Sequence, residues 1–181
     1  MERIRISDMT MKQGSKEMTL SFKEKIELSK LLDKLGVSVI ELEGIQNARI
    51  DSLRIKSIAM AVKDSIVAVP VQLSADGVMA AWNALKPAKH PRLQVCAPVS
   101  SVQMEYLHHK KPDAMKALIA ETVAAACKVC GDVEFVADDA TRSDPAFVYE
   151  VIAVAMEAGA KTVVREVSFT KNTEGEIVVT V

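Results

Sequence analysis

Short β-branched runs alternate with amphipathic stretches along most of the chain. This alternation predicts repeated strand–helix units, in which parallel strands form a sheet and helices cover it. The predicted strands are residues 3–7, 37–42, 66–71, 93–97, 132–137 and 162–167. The predicted helices are residues 22–35, 49–63, 76–85, 113–130 and 147–158. The pattern therefore indicates an α/β fold.

Glycine, serine and proline mark the ends of two predicted helices. Gly36 follows the first helix and can take the left-handed conformation in which many helices end. Before the last helix, Ser143 is expected to accept hydrogen bonds from the unpaired amide groups of the first turn. Pro145 suits that first turn because it has no amide hydrogen to satisfy, and Gly159 is expected to end the helix.

The last residues break the strand–helix rhythm. Residues 171–175 form a polar turn, and residues 176–181 alternate as a strand that follows without an intervening helix. So short a connection favours an antiparallel hairpin, because a parallel return needs a crossover. We expect this strand to cover one open edge of the sheet.

Composition and charge narrow the class of protein. The 181 residues are 49% hydrophobic with a formal charge of −1, which allows one buried core and gives little attraction for nucleic acid or membranes. No apolar run approaches the ~18 residues of a membrane span, and the first residues do not resemble a secretion signal. We therefore expect a cytoplasmic protein. Three cysteines in such a chain favour reduced thiols over a disulfide framework.

Three sequence blocks carry the candidate chemistry. Residues 6–14 read Ile-Ser-Asp-Met-Thr-Met-Lys-Gln-Gly, residues 25–41 hold a helix, a Gly-Val turn and the strand end Val-Ile-Glu, and residues 133–143 read Val-Glu-Phe-Val-Ala-Asp-Asp-Ala-Thr-Arg-Ser. In this order the blocks resemble the metal-dependent family of isopropylmalate synthases, homocitrate synthases and hydroxymethylglutaryl-CoA lyase.

The resemblance implies a (β/α)₈ TIM-type barrel. A closed barrel of this kind takes about 250 residues, so the expected fold is an incomplete (β/α)₈ barrel of about five and a half βα units plus a hairpin strand. Residues 1–165 would form the partial barrel domain and residues 166–181 an atypical hairpin tail.

The resemblance also implies an activity, in which acetyl-CoA condenses with a 2-oxo acid. A divalent metal, Mg²⁺, Mn²⁺ or Zn²⁺, would act as a Lewis acid on the carbon under attack. The implied partners are acetyl-CoA and a 2-oxo acid, without nucleic acid or membrane. A homo-oligomer is expected because the edges of an open sheet need covering.

Four residues match active-site positions of the family. Asp8 corresponds to a metal ligand, and Lys12 stands where the family has an arginine that steadies an oxyanion. Glu41 and Asp138 match acidic active-site positions and are the other candidate catalytic residues. The family's later His-x-His pair completes its metal site, whereas no histidine follows His109 here.

Each of these residues also has a structural interpretation. Asp8 could cap the turn that follows its strand, Lys12 and Glu41 could form a salt bridge across the mouth of the sheet, and Asp138 could belong to a hydrogen-bonded loop. Two functions follow from these alternatives. One is a synthase of this family that is weak or inactive as this chain; the other is a non-catalytic partial barrel, a broken or engineered fragment that self-associates.

Overall fold

Six parallel strands form one sheet, in which every strand pairs with its neighbours in sequence order. The computed structural model describes residues 5–13, 20–165, 168–171 and 177–180. The sheet curls into a half-barrel, which confirms the predicted incomplete (β/α)₈ fold. Its strands are β1 Ser7–Asp8, β2 Val39–Glu41, β3 Ile66–Val71, β4 Pro91–Pro98, β5 Val133–Asp138 and β6 Thr162–Arg165.

Helices connect the strands, as parallel pairing requires. They are α1 Thr10–Gln13, α2 Phe22–Leu35, α3 Ala48–Ala61, α4 Ala75–Leu85, α5 Ser101–Tyr106, α6 Pro112–Cys127 and α7 Pro145–Glu157. The sequence did not predict α1 and α5, because elements of four and six residues are too short to show a helical period. Among the described residues, no helix is both long and apolar enough to cross a membrane.

The last long helix begins two residues before the predicted residue 147, and its capping residue lies one position after the predicted one. Pro145 is the first residue of α7, so the capping position falls on Asp144, whose side chain accepts a hydrogen bond from the Ala146 amide at 3.0 Å. The predicted cap, Ser143, is wrong because it lies one residue too early. Its hydroxyl donates instead to the carbonyl oxygen of Asp139 at 2.8 Å. Gly36 has the predicted left-handed conformation, with φ 83°.

The C-terminal hairpin exists, but its pairing differs from the prediction. The sixth strand ends at Arg165, and a further strand, β7 Ser168–Lys171, pairs antiparallel with β8 Ile177–Thr180. In the described part of the chain these two strands form a sheet of their own. The predicted covering of an edge of the main sheet is therefore wrong. The predicted polar turn lies mostly outside the described residues, as do residues 3 and 4 of the predicted first strand.

The two faces of the sheet bury different side chains. Leu93, Val95 and Phe135 point to one face, where they are fully buried in the hydrophobic core with the helices. Because side chains alternate along a strand, Gln94 and Glu134 point to the other, inner face of the half-barrel, and the two residues are paired in register. The outer face is therefore apolar, and the inner face of β4 and β5 is largely polar.

Asp33, near the end of α2, fixes the loop that leads into β3. Its carboxylate accepts hydrogen bonds from the backbone amides of Lys63, Asp64 and Ser65 at 2.9, 3.0 and 2.7 Å. Burial acts to raise the pKa of Asp33, but these three donors outweigh it and the pKa is lowered. The carboxylate thus ties α2 to the start of β3.

We predict that Asp33→Ala lowers the free energy of unfolding by about 2 kcal/mol, because three backbone amides lose a charged acceptor. Urea denaturation at neutral pH measures this loss. The matched control is Asp64→Ala, whose side chain is 83% exposed, and it should stay within about 0.5 kcal/mol of the parent protein. Equal stability of the two variants would contradict the role given to Asp33.

Candidate functional site

Lys12 lies at the carboxyl end of the sheet, where (β/α)₈ barrels form their active sites. It belongs to α1, directly after β1, and its ammonium group donates to Glu41 Oε2 at 2.7 Å and to Gln94 Oε1 at 3.0 Å. The structure thus brings together two of the candidate catalytic residues. They are joined by the ion pair that the sequence left open as an alternative.

Glu41, at the end of β2, is held by three donors. Its Oε1 accepts from the Ser7 hydroxyl at 2.6 Å, and its Oε2 accepts from Lys12 and from Gln94 Nε2, the latter at 3.0 Å. Burial acts to raise the pKa of Glu41, but the hydrogen bonds from Lys12, Ser7 and Gln94 outweigh it, and the pKa is lowered. A carboxylate stabilised in this way is a poor proton acceptor at neutral pH.

Lys12 is stabilised in its charged form. Burial acts to lower the pKa of Lys12, but the Cys96 thiolate, which forms only at high pH, and the Glu41 and Asp138 carboxylates raise it above its ordinary value. Burial also raises the pKa of the Cys96 thiol to about 12, so Cys96 is neutral near pH 7. The two carboxylates therefore keep Lys12 protonated at neutral pH. The ammonium can stabilise negative charge that develops beside it.

Gln94 continues this cluster into the half-barrel. Its Nε2 also donates to Glu134 Oε2 at 2.6 Å, and the other oxygen of Glu134 accepts from Arg92 Nη1 at 3.0 Å. Arg92 Nε in turn donates to Asp132 Oδ2 at 3.0 Å. These contacts form one connected set, which we call the inner polar chain: Lys12, Glu41, Gln94, Glu134, Arg92 and Asp132.

Sequence reasoning missed the β4 and β5 members of the inner polar chain. A sequence signal was present, because Arg92 and Gln94 alternate with Leu93 and Val95 along β4. Strands of a parallel sheet are expected to be apolar on both faces, so polar residues at every second position indicate an inner face that carries charge.

Asp8 occupies the end of β1, as predicted, and its carboxylate is engaged locally. Oδ1 accepts from the Thr10 amide at 3.2 Å, and Oδ2 accepts from the Thr10 hydroxyl at 3.1 Å. These contacts are the turn-capping alternative. Within the described residues, no three His, Cys, Asp or Glu side chains lie where they could hold a metal ion together. A divalent metal therefore does not fit these residues alone, and metal ligation by Asp8 stays a prediction.

The two aspartates at the end of β5 differ in their surroundings. Asp138 is the last residue of the strand and lies close enough to Lys12 to influence its pKa. Asp139 has φ 62° and accepts two hydrogen bonds from Arg142, at 2.6 and 2.7 Å, and one from the Ser100 hydroxyl. The hydrogen bonds from Arg142 are the main reason that the pKa of Asp139 is lowered. Asp139 thus holds the loop after β5 in place, whereas the charge of Asp138 raises the pKa of Lys12.

Comparison with known proteins identifies the family of the chain. A family model described as HMGL-like matches residues 3–165, which include all four candidate residues. The chain belongs to the HMGL-like family. The family match covers the whole parallel sheet and stops where β6 ends.

Similar proteins within the HMGL-like family are 2-isopropylmalate synthases. The synthase of Nitratidesulfovibrio vulgaris is 35% identical over 163 residues, which cover 89% of this chain and 32% of that protein. The synthase of Carboxydothermus hydrogenoformans is 34% identical, with 90% and 32% covered. A probable 2-isopropylmalate synthase of Glycine max is 34% identical, with 88% and 30% covered. The chain thus spans about a third of the length of these relatives.

We predict that the ion pair makes stability depend on pH at both ends of the scale. The pKa of Glu41 is lowered, so its contribution is complete above its ordinary value of 4.5 and is lost as pH falls through the folded value. The pKa of Lys12 is raised, so its contribution is complete below 10.5 and is lost as pH rises through the folded value. The unfolding free energies of the parent protein and Glu41→Gln should therefore differ most between pH 4.5 and pH 10.5.

Urea denaturation from pH 3 to 8 tests the acid limb. The stability difference between the parent protein and Glu41→Gln should shrink as pH falls below 4.5. The control Glu121→Gln alters an exposed residue of α6 and should follow the parent protein at every pH. A difference that stays constant down to pH 3 would show that Glu41 does not titrate as described.

Proposed function

We propose that this chain carries part of the site for an acetyl-CoA-dependent condensation with a 2-oxo acid, of the isopropylmalate and homocitrate synthase type. The observation that supports the proposal is the placement of a protonated Lys12 at the carboxyl end of the sheet, fixed by Glu41 and Gln94. The similarity to 2-isopropylmalate synthases supports the same reaction class.

The condensation needs a proton acceptor and a group that stabilises an oxyanion. The acceptor takes a proton from the methyl group of acetyl-CoA, and the resulting carbanion forms a bond to the 2-oxo carbon, whose oxygen becomes negative and is then protonated. Water hydrolyses the thioester of this adduct, and cleavage of its C–S bond releases free CoA thiol. We assign the oxyanion role to the Lys12 ammonium. Glu41 is a poor proton acceptor, because three donors stabilise its ionised form. We therefore assign the acceptor role to the other predicted acidic residue, Asp138. Glu41 is then a positioning residue for Lys12.

The resemblance to the family implies a divalent metal that polarises the 2-oxo group when bound. Since the described residues do not provide a complete set of metal ligands, we expect turnover by this chain alone to be weak. Asp8 is the residue that would contribute a ligand, together with donors from outside the described residues.

We predict that the purified chain releases free CoA thiol from acetyl-CoA when both Mn²⁺ and a suitable member of a panel of 2-oxo acids are present. A thiol-reactive chromophore measures the release. Lys12→Met should reduce the rate by on the order of 10²-fold, as expected for loss of one oxyanion donor. Thiol release that does not need the 2-oxo acid would be simple thioester hydrolysis and would not support the proposal.

The matched control for this assay is Lys34→Met, because Lys34 is an exposed lysine of α2. It should keep the rate of the parent chain, and circular dichroism should show that both variants are folded. Absence of thiol release across the whole panel, with the parent chain folded, would contradict the enzymatic proposal.

A second candidate function is supported by the edges of the sheet. In the described part of the chain, β1 and β6 each pair with one strand only, which leaves the outer edge of each strand without a partner in the sheet. Val164 of β6 is also 38% exposed. Such edges favour pairing between chains, so we propose a non-catalytic, self-associating partial barrel as the alternative.

We predict for this alternative that sedimentation equilibrium gives a mass above the 19.7 kDa of one chain. Val164→Lys should weaken the association, because a charged side chain on an edge strand opposes pairing. The control Val102→Lys alters an exposed residue of α5 and should leave the association unchanged. A mass of one chain at all concentrations would exclude self-association.

A further inference from the structure

Gln94 is a buried amide in the middle of the inner polar chain. Its side chain lies on the inner face of β4, only 1% of the residue is exposed, and its amide contacts three charged groups. We propose that Gln94 is a positioning residue, which fixes the Lys12 ammonium and the Glu41 carboxylate in their arrangement at the mouth of the half-barrel.

The charges around Gln94 allow one orientation of its amide. Nε2 has two hydrogens, and they are donated to Glu41 Oε2 at 3.0 Å and to Glu134 Oε2 at 2.6 Å. Oε1 accepts from Lys12 at 3.0 Å. A reversed amide would place its oxygen against two carboxylates and its NH₂ group against an ammonium. The orientation is therefore set by charge, and the carbonyl must face Lys12.

The anchor of this amide is an ion pair deeper in the half-barrel. Glu134 also accepts from Arg92 at 3.0 Å, and both residues are less than a tenth exposed. An ion pair buried to this degree is held firmly, because separating its charges in a medium of low dielectric is costly. Gln94 transmits that fixed position to Glu41 and Lys12.

The length of Gln94 suits the gap that it spans. Gln94 lies on β4 and Glu41 on β2, and the strand between them, β3, presents Ala68 in register with Glu41 and Pro70 in register with Gln94. Neither side chain of β3 carries a polar group, so β3 cannot link the two strands itself. The Gln94 side chain reaches across β3 to Glu41, and an asparagine side chain would be one methylene shorter.

Substitution of Gln94 should therefore change how its two neighbours titrate. In Gln94→Met the Glu41 carboxylate loses one of three donors, so its pKa should rise towards its ordinary value of 4.5. Lys12 loses an acceptor that stabilises its charge, so its pKa should fall. Gln94→Glu has nearly the same shape but adds a third carboxylate beside Glu41 and Glu134. In that variant the pKa of both Lys12 and Glu41 should rise.

The experiment is a carbon-13 NMR titration of the full chain, labelled at the glutamate carboxyl and lysine ε carbons. Glu41→Gln and Lys12→Arg assign the two signals by their disappearance. The expected result is that Gln94→Met moves the Glu41 midpoint up and the Lys12 midpoint down. The control Gln72→Met makes the same change at a glutamine that donates to the Ile45 carbonyl at 3.2 Å, and both midpoints should stay in place.

Unchanged midpoints in Gln94→Met, even with lower stability, would overturn the proposal, since a merely structural residue would behave in that way. Equal shifts in Gln72→Met would overturn it as well. If Gln94→Met does not fold, Gln94→Glu decides, because upward shifts of both midpoints support the proposal and unchanged midpoints refute it.

The proposal rests on the proposed function only because that function gives Lys12 and Glu41 chemical roles. The titration itself does not require enzymatic turnover. Shifted midpoints without thiol release would support Gln94 and contradict the condensation. Thiol release with unchanged midpoints would do the reverse.

Discussion

Burial of charge on the inner face of an open, curled sheet is the constraint on which this structure depends. Glu41, Arg92 and Glu134 are each less than a tenth exposed, and an unpaired charge in such surroundings would be strongly unfavourable. Each is paired within the inner polar chain, which joins β5, β4 and β2 to α1. The pairing requires the curvature of the sheet, because Gln94 must reach Glu41 across β3. The same contacts in turn hold the strands in that curvature.

Two carboxylates near Lys12 have different roles: Glu41, which belongs to the inner polar chain, and Asp138, which lies beside it. Glu41 has a lowered pKa because its oxygens accept from three donors, so it stabilises Lys12 better than it could accept a proton. Asp138 ends β5 at the mouth and contributes to the raised pKa of Lys12. Stability and chemistry therefore depend on one set of contacts. Weakening these contacts would change the charge available at the mouth as well as the free energy of folding.

The sequence predicted best those elements whose period is strong and whose ends are marked. Helix α2 and strand β3 have the predicted bounds, because α2 repeats apolar residues at helical spacing and ends at Gly36, and β3 is a β-branched run. The ion pair of Lys12 and Glu41 was foreseen as one of two alternatives, since Lys12 follows the first strand and Glu41 lies on the second. Gln94 was missed because its role depends on side chains from β2 and β5. No local sequence pattern indicates how strongly the sheet curls, or whether a side chain of β4 can reach β2 across β3.

The identities of residues 12 and 94 are physically linked. A lysine ammonium is a compact charge with three donors, and here Glu41 Oε2 and Gln94 Oε1 take two of them. At most one donor is left for a ligand. By resemblance, related enzymes are expected to carry an arginine at this position. Its planar guanidinium group has five donors, so it could pair with a carboxylate through one edge and still donate to a ligand through another. Substitution of Lys12 alone by arginine would place the guanidinium group against the Gln94 amide, whose orientation suits a compact ammonium group. The lysine and the glutamine therefore have to be considered together in any account of what this site binds.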